Sequence, residues 1–164
     1  MLTKNIFLRS FSKKKSDRII RGLLNLLINK DSQLIKSMSK RYIDQYNFKN
    51  IKKITSKNDI RIIGMGGSIL GALAIYNFFK DKIKKNFFFI NNLKPAYKLS
   101  KKNISNLVIS KSGNTLETII NVNLLIKEKK NIFITENKKN YLSELALKLK
   151  AEIISHNNFI GGRY

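Results

Sequence analysis

The spacing of hydrophobic positions changes character near residue 60. Before it, apolar residues recur at helical intervals: in the stretch 16–47, Ile19, Leu23, Leu26 and Leu27 share one face, with a break near Asn29 to Ser32, so two helices are predicted. After it, short apolar runs rich in β-branched residues alternate with longer segments of helical period. "IRIIGM" (60–65), "FFFI" (87–90), "NLVIS" (106–110), "NIFIT" (131–135) and "EIISH" (152–156) read as strands. Between them "SILGALAIYNFFK" (68–80), "TLETIINVNLLIKEK" (115–129) and "YLSELALKLK" (141–150) read as helices. Continuous apolar strands with no polar alternation suit a sheet buried on both faces, and strand–helix alternation suits parallel pairing. The expectation is therefore an α/β fold, a three-layer α/β/α sandwich with a mainly parallel sheet, preceded by N-terminal helices. Residues 1–50 are expected to form a helical segment that packs on an α/β domain of residues 51–164. The lone Pro95 is assigned to a loop or the opening of a short helix.

Composition narrows the chemistry. The 164 residues are 43% hydrophobic, enough for one core but not for a second full domain. The chain has no Cys and one His, which leaves neither a disulfide framework nor a thiolate or His-rich metal centre, and fits a reducing cytoplasm. No apolar run is long enough to span a bilayer, so no membrane partner is expected. The charge is the strongest bias: 33 Lys+Arg against 10 Asp+Glu, formally +23. A polybasic face binds polyanions by counterion release. Here, however, the lysines are spread over every segment alongside abundant Asn and Ile, and no nucleic-acid motif is present, so no specific nucleic-acid partner is expected.

Ligands of open parallel sheets bind outside the carboxyl ends of the strands. Two loops fall there. "GMGGS" (64–68) combines turn-forming glycines with Ser68, and "SKSGNT" (110–115) brings Ser110, Lys111, Ser112 and Thr115 to a helix start around Gly113. Amide donors, hydroxyls and a positive helix end make a phosphate cradle. The dinucleotide fingerprint fails, because the position three beyond Gly66 is Ile69 and the second strand ends in Asn91 and Asn92 without a carboxylate. A Walker loop fails too, since neither loop contains Gly-Lys followed by Ser or Thr. A phosphorylated small molecule is the class left standing.

"GMGGSILG" (64–71), "VISKSGNTLET" (108–118) and "IGGRY" (160–164), in that order, resemble motifs of the glucose-6-phosphate isomerase family. The first two also mark the wider sugar isomerase (SIS) domain, so the resemblance implies an SIS-like fold. It covers residues 55–164. It implies that Gly67 and Ser68 lie at the substrate, that Ser110, Lys111, Ser112 and Thr115 grip the sugar phosphate, and that Arg163 stabilises a negatively charged enediol. Asn114 stands where the family commonly has threonine, and Glu117 matches an acid of the following helix. The implied reaction interconverts glucose 6-phosphate and fructose 6-phosphate through a cis-enediol, without metal or organic cofactor. In the family the glutamate base and the ring-opening histidine come from later sequence and a second SIS domain, which this sequence does not contain. His156 and Glu117 do not substitute for them. The resemblance thus implies an N-terminal portion of an isomerase whose intact form is a cytoplasmic homodimer. The alternative is a stand-alone sugar-phosphate-binding module with a regulatory role.

Overall fold

A computed structural model describes residues 18–29, 37, 42–43, 46–93, 103–126 and 130–161. The chain divides into two compact units, Met1–Ile43 and Asp44–Tyr164. The first contains helix α1, Arg18–Asn29, as the spacing predicts. The second helix expected before residue 47 falls mostly outside the described residues, as does Pro95.

The second unit begins with α2 (Phe48–Thr55), which the sequence reading did not assign. Its start is set by Asn47, in extended backbone, whose side chain accepts from the amides of Lys49 and Asn50. β1 (Asp59–Gly64), α3 (Gly67–Phe79), β2 (Phe87–Ile90), β3 (Ile104–Ile109), α4 (Leu116–Leu125), β4 (Asn131–Glu136), α5 (Tyr141–Lys148) and β5 (Glu152–His156) follow. Each expected strand and helix of this unit is present, with bounds within two residues of those expected and β2 and β5 matching outright, except that α4 ends at Leu125. There Ile126 takes extended backbone and packs against the core, which ends the helix four residues before the expected 129.

The five strands form one sheet in the order β2-β1-β3-β4-β5, every pair parallel. Side chains alternate between its faces. On one face Ile63, Val108 and Phe133, all fully buried, meet Val122 and Leu125 of α4 and Leu142 and Ala146 of α5. Near the amino ends of the strands the same face carries a polar row. Arg61, Asn106 and Asn131 stand side by side in register on three adjacent strands. The Arg61 guanidinium donates to Asn106 Oδ1 (3.3 Å) and to the Leu125 carbonyl at the end of α4 (3.2 Å), and Asn106 Nδ2 donates to Asn131 Oδ1 (2.8 Å). Burial depresses the Arg61 pKa, yet a guanidinium stays charged.

The opposite face is covered by α3 over β1 and β2, where Tyr76 packs its ring against Phe87 and Phe89 at 5.3 and 5.5 Å between centroids. Toward the amino ends, α2 is fastened by Asn58 Nδ2, which donates to Ser105 Oγ (2.9 Å) and the Ile54 carbonyl (2.9 Å). Between α2 and β3, β4 and β5 lies an apolar groove of about 360 Å³ lined by Ile51, Leu107, Ile132, Ile134 and Ile154 among others.

Candidate functional site

The strand order 2-1-3-4-5 reverses direction between β1 and β3, and that switch point is where a crevice opens at the carboxyl ends of a doubly wound sheet. The loops 64–68 and 110–115 leave the sheet at this point. Gly64 is the register partner of Ile109, the last residues of β1 and β3. A Cβ added at Gly64 would lie 2.9 Å from the Ile109 carbonyl oxygen and 3.4 Å from Ser68 Cβ, so glycine is needed for this close approach and the two loops are neighbours.

In the first loop, Gly66 takes φ 53 and precedes α3 without any side-chain cap. Exposed Gly67 and half-buried Ser68 open the helix. In the second, Ser110 is buried at the end of β3, and its hydroxyl is 3.1 Å from that of Thr115. Ser112 Oγ lies 3.5 Å from the same Thr115 Oγ1 and accepts from the Asn114 amide at 3.3 Å. Thr115 is the N-cap of α4, yet it makes no side-chain bond to the helix amides. Its hydroxyl is instead turned toward Ser110 and Ser112.

The three helices that start at this end of the sheet therefore differ. The first turn of any α-helix has amides without helical partners. In α5 they are consumed: Tyr141 N donates to Asn114 Oδ1 (3.0 Å), Leu142 N to the Gly113 carbonyl (3.1 Å), and Ser143 N to Asn140 Oδ1 (2.9 Å). In α3 and α4 no side chain caps them. The Ser68 and Ile69 amides of α3 donate to the Met65 and Gly66 carbonyls (3.1 Å each), so an anion is favoured most at the start of α4, beside the switch point, and not at α5.

Lys111 connects the second loop to the chain after β5. Its ammonium donates to the Asn158 carbonyl (2.7 Å) and lies 3.6 Å from Glu136 Oε1. Glu136, at the end of β4, is also paired with Lys138. The hydrogen-bonded Lys138 ammonium, with Lys111 adding to it, holds this carboxyl below its usual range, against a smaller opposing effect of burial. The structure thus gathers the hydroxyls of Ser110, Ser112 and Thr115, with Gly67 and Ser68 opening the neighbouring helix α3 and the Lys111 ammonium engaged by Asn158 and Glu136. Arg163 lies outside the described residues, which end two positions before it. His156 turns to the backbone, with Nδ1 2.8 Å from the Asn157 carbonyl oxygen. Asn140 and Glu136 were not singled out from the sequence. Asn140 is legible in hindsight as the Asn of a capping box closed by Ser143, whereas Glu136 carries no sequence signal. Among the described residues no cluster of His, Cys, Asp or Glu could hold a metal ion, and no helix is long and apolar enough to cross a membrane.

No family model matches the chain. It is 39% identical over 132 residues to a glucose-6-phosphate isomerase of Methanocaldococcus jannaschii, covering 72% of this chain and 32% of that protein. It is 38% identical over 137 residues to a glucose-6-phosphate isomerase of Borreliella afzelii, covering 70% of this chain and 26% of that protein. Among solved structures, a glucose-6-phosphate isomerase from Chlamydia trachomatis D/UW-3/Cx superposes with a TM-score of 0.54 at 22% identity, over 74% of this chain and 30% of the other, a likeness of fold. The chain spans about a third or less of the length of these curated relatives. Over about 70% of its own length the chain is similar to glucose-6-phosphate isomerases.

Proposed function

We propose that this chain provides the phosphate-binding sheet domain of a glucose-6-phosphate isomerase, the enzyme that interconverts glucose 6-phosphate and fructose 6-phosphate. The observation that carries the reading is the meeting of loops 64–68 and 110–115 at the β1/β3 switch point, beside two helix starts without side-chain caps. In this reading the amides at the start of α4, the hydroxyls of Ser110, Ser112 and Thr115, and the Lys111 ammonium hold the phosphate dianion. Gly67 and Ser68 approach the sugar. Lys111, already bonded to the Asn158 carbonyl, ties the phosphate loop to the segment that leads to Arg163. A fixed guanidinium at that point would stabilise the enediolate formed as a carboxylate base moves a proton between C1 and C2. Neither Glu117, in the first turn of α4, nor Glu136, held by two lysines, is suited to be that base. The base is therefore neither of these two carboxylates. The same reading carries a cytoplasmic setting and a homodimeric intact enzyme.

Two measurements on the purified chain test this. Isothermal titration with glucose 6-phosphate is expected to show weak saturable binding, and a coupled assay with fructose 6-phosphate to show no turnover. Absence of saturable binding at millimolar ligand would remove the phosphate-site assignment. Robust turnover would show that the base lies within these residues.

A further inference from the structure

Loop 110–115 borrows its shape from the start of α5. Gly113, at φ +67, offers its carbonyl to Leu142 N (3.1 Å), and Asn114 offers Oδ1 to Tyr141 N (3.0 Å). The Lys111 carbonyl accepts from Glu136 N (3.0 Å) and Thr135 Oγ1 (3.3 Å). These contacts surround one side chain, Asn140, which is only 5% exposed. Its Oδ1 caps α5, while its Nδ2 donates to the Lys138 carbonyl (3.0 Å) and to Thr135 Oγ1 (3.2 Å), the same hydroxyl that holds Lys111. Its carboxamide also fills the space that a Cβ at Gly113 would occupy.

A helix cap needs only one acceptor, and Ser or Thr supplies it nearly as well as Asn. The two amide hydrogens of Asn140 are additional to that role, and they are spent on Thr135 in β4, against which the loop is laid, and on the Lys138 carbonyl in the turn that follows. We propose that Asn140 is a positioning residue for the phosphate-binding loop. By filling the volume beneath Gly113 and orienting Thr135, it holds the left-handed turn that points the Ser110, Ser112 and Thr115 hydroxyls and the start of α4 toward one anion. In this proposal Asn140 acts through the loop and not through contact with the anion. The proposal rests on the reading of 110–115 as the phosphate loop.

The test uses the full chain with Asn140→Ser, which keeps a helix cap but loses the two amide donors and the bulk, and Asn140→Ala, which loses all three. Glucose 6-phosphate affinity is measured by calorimetry, folding by thermal melting, and loop order by amide exchange at 111–114. Both variants are expected to bind about three- to tenfold more weakly, the equivalent of one lost hydrogen bond, with faster exchange at 111–114. Asn140→Ser should retain the folded sheet and α5. If folded Asn140→Ser binds as the unsubstituted chain does, Asn140 is a cap and nothing more. If the unsubstituted chain binds no glucose 6-phosphate, the functional reading fails instead. Exchange at 111–114 in Asn140→Ser then decides the positioning role alone, and unchanged rates overturn it.

Discussion

Replacing Gly113 by alanine should be among the most damaging single-methyl additions available to this fold. Two costs arise independently. The residue sits at φ +67, where an L-residue pays about 1–2 kcal/mol over glycine. The new methyl would also overlap the Asn140 carboxamide, which is buried and bonded on both its oxygen and its nitrogen. Displacing that side chain forfeits the α5 cap, about 1 kcal/mol, and strands a buried amide, about 1–3 kcal/mol. A total of about 3–6 kcal/mol follows, a large part of the ~5–15 kcal/mol that holds a domain together. Urea denaturation of Gly113→Ala, Asn140→Ala and the double variant measures it. In the double variant the overlap has gone, so the second substitution should cost far less than it does alone, a coupling of about 1–3 kcal/mol. Additivity of the two single effects within about 0.5 kcal/mol would show that Gly113 and Asn140 do not share that space.

Lys150 follows α5 at φ 50, with the Ala151 amide bonded to the Ala146 carbonyl at 2.9 Å, a helix end that glycine suits better than lysine. Lys150→Gly is expected to stabilise the fold by about 1 kcal/mol in the same denaturation assay, and a loss of stability would contradict the assigned backbone. Glu136 has its pKa lowered by Lys138 and Lys111, so its contribution to stability is complete above the unfolded value of 4.5 and is lost as pH falls through the lower folded value. Glu136→Gln should flatten the stability–pH curve below that point, and an unaltered curve would show that the pairing does not operate in solution. Lys111→Ala should weaken glucose 6-phosphate binding by about 1.5–3 kcal/mol, read by calorimetry. An affinity unchanged by the substitution would take the ammonium out of the site.

The strands were legible because buried parallel strands carry their signal locally: Ile62, Ile63, Val108 and Phe133 lie in short apolar runs of Ile, Leu, Val and Phe bounded by Arg, Gly, Asn, Ser or Thr. The two loops were legible for the same reason, since their glycines and hydroxyls are contiguous. α2 was missed because its "FKNIKKIT" offers only Phe48, Ile51 and Ile54 as apolar positions, Phe48 being left exposed, and is held by Asn47 and by Asn58 bonding to Ser105. The support of the site was not legible. Lys111 meets Asn158 from 47 residues away, and Asn114 meets Tyr141 from 27, through pairs with no shared pattern in the sequence. The end of α4 at Leu125 was also hidden, because it is set by Ile126 packing into the core and not by a breaker residue.

The buried row Arg61–Asn106–Asn131 has a consequence at the far end of the sheet. Sliding a strand by one residue moves every side chain to the opposite face, whereas sliding it by two keeps each on its own face. Such a slide of β1 along β3 would set Arg61 opposite Ile104 or Val108, leaving a buried guanidinium without its amide partner. The same slide would move Gly64 off Ile109 by two residue rises, about 6.6 Å, and carry the 64–68 loop away from 110–115. The polar row at the amino ends thus acts as the vernier of the ladder, and the mutual height of the loops 64–68 and 110–115 is decided at the opposite end of the strands.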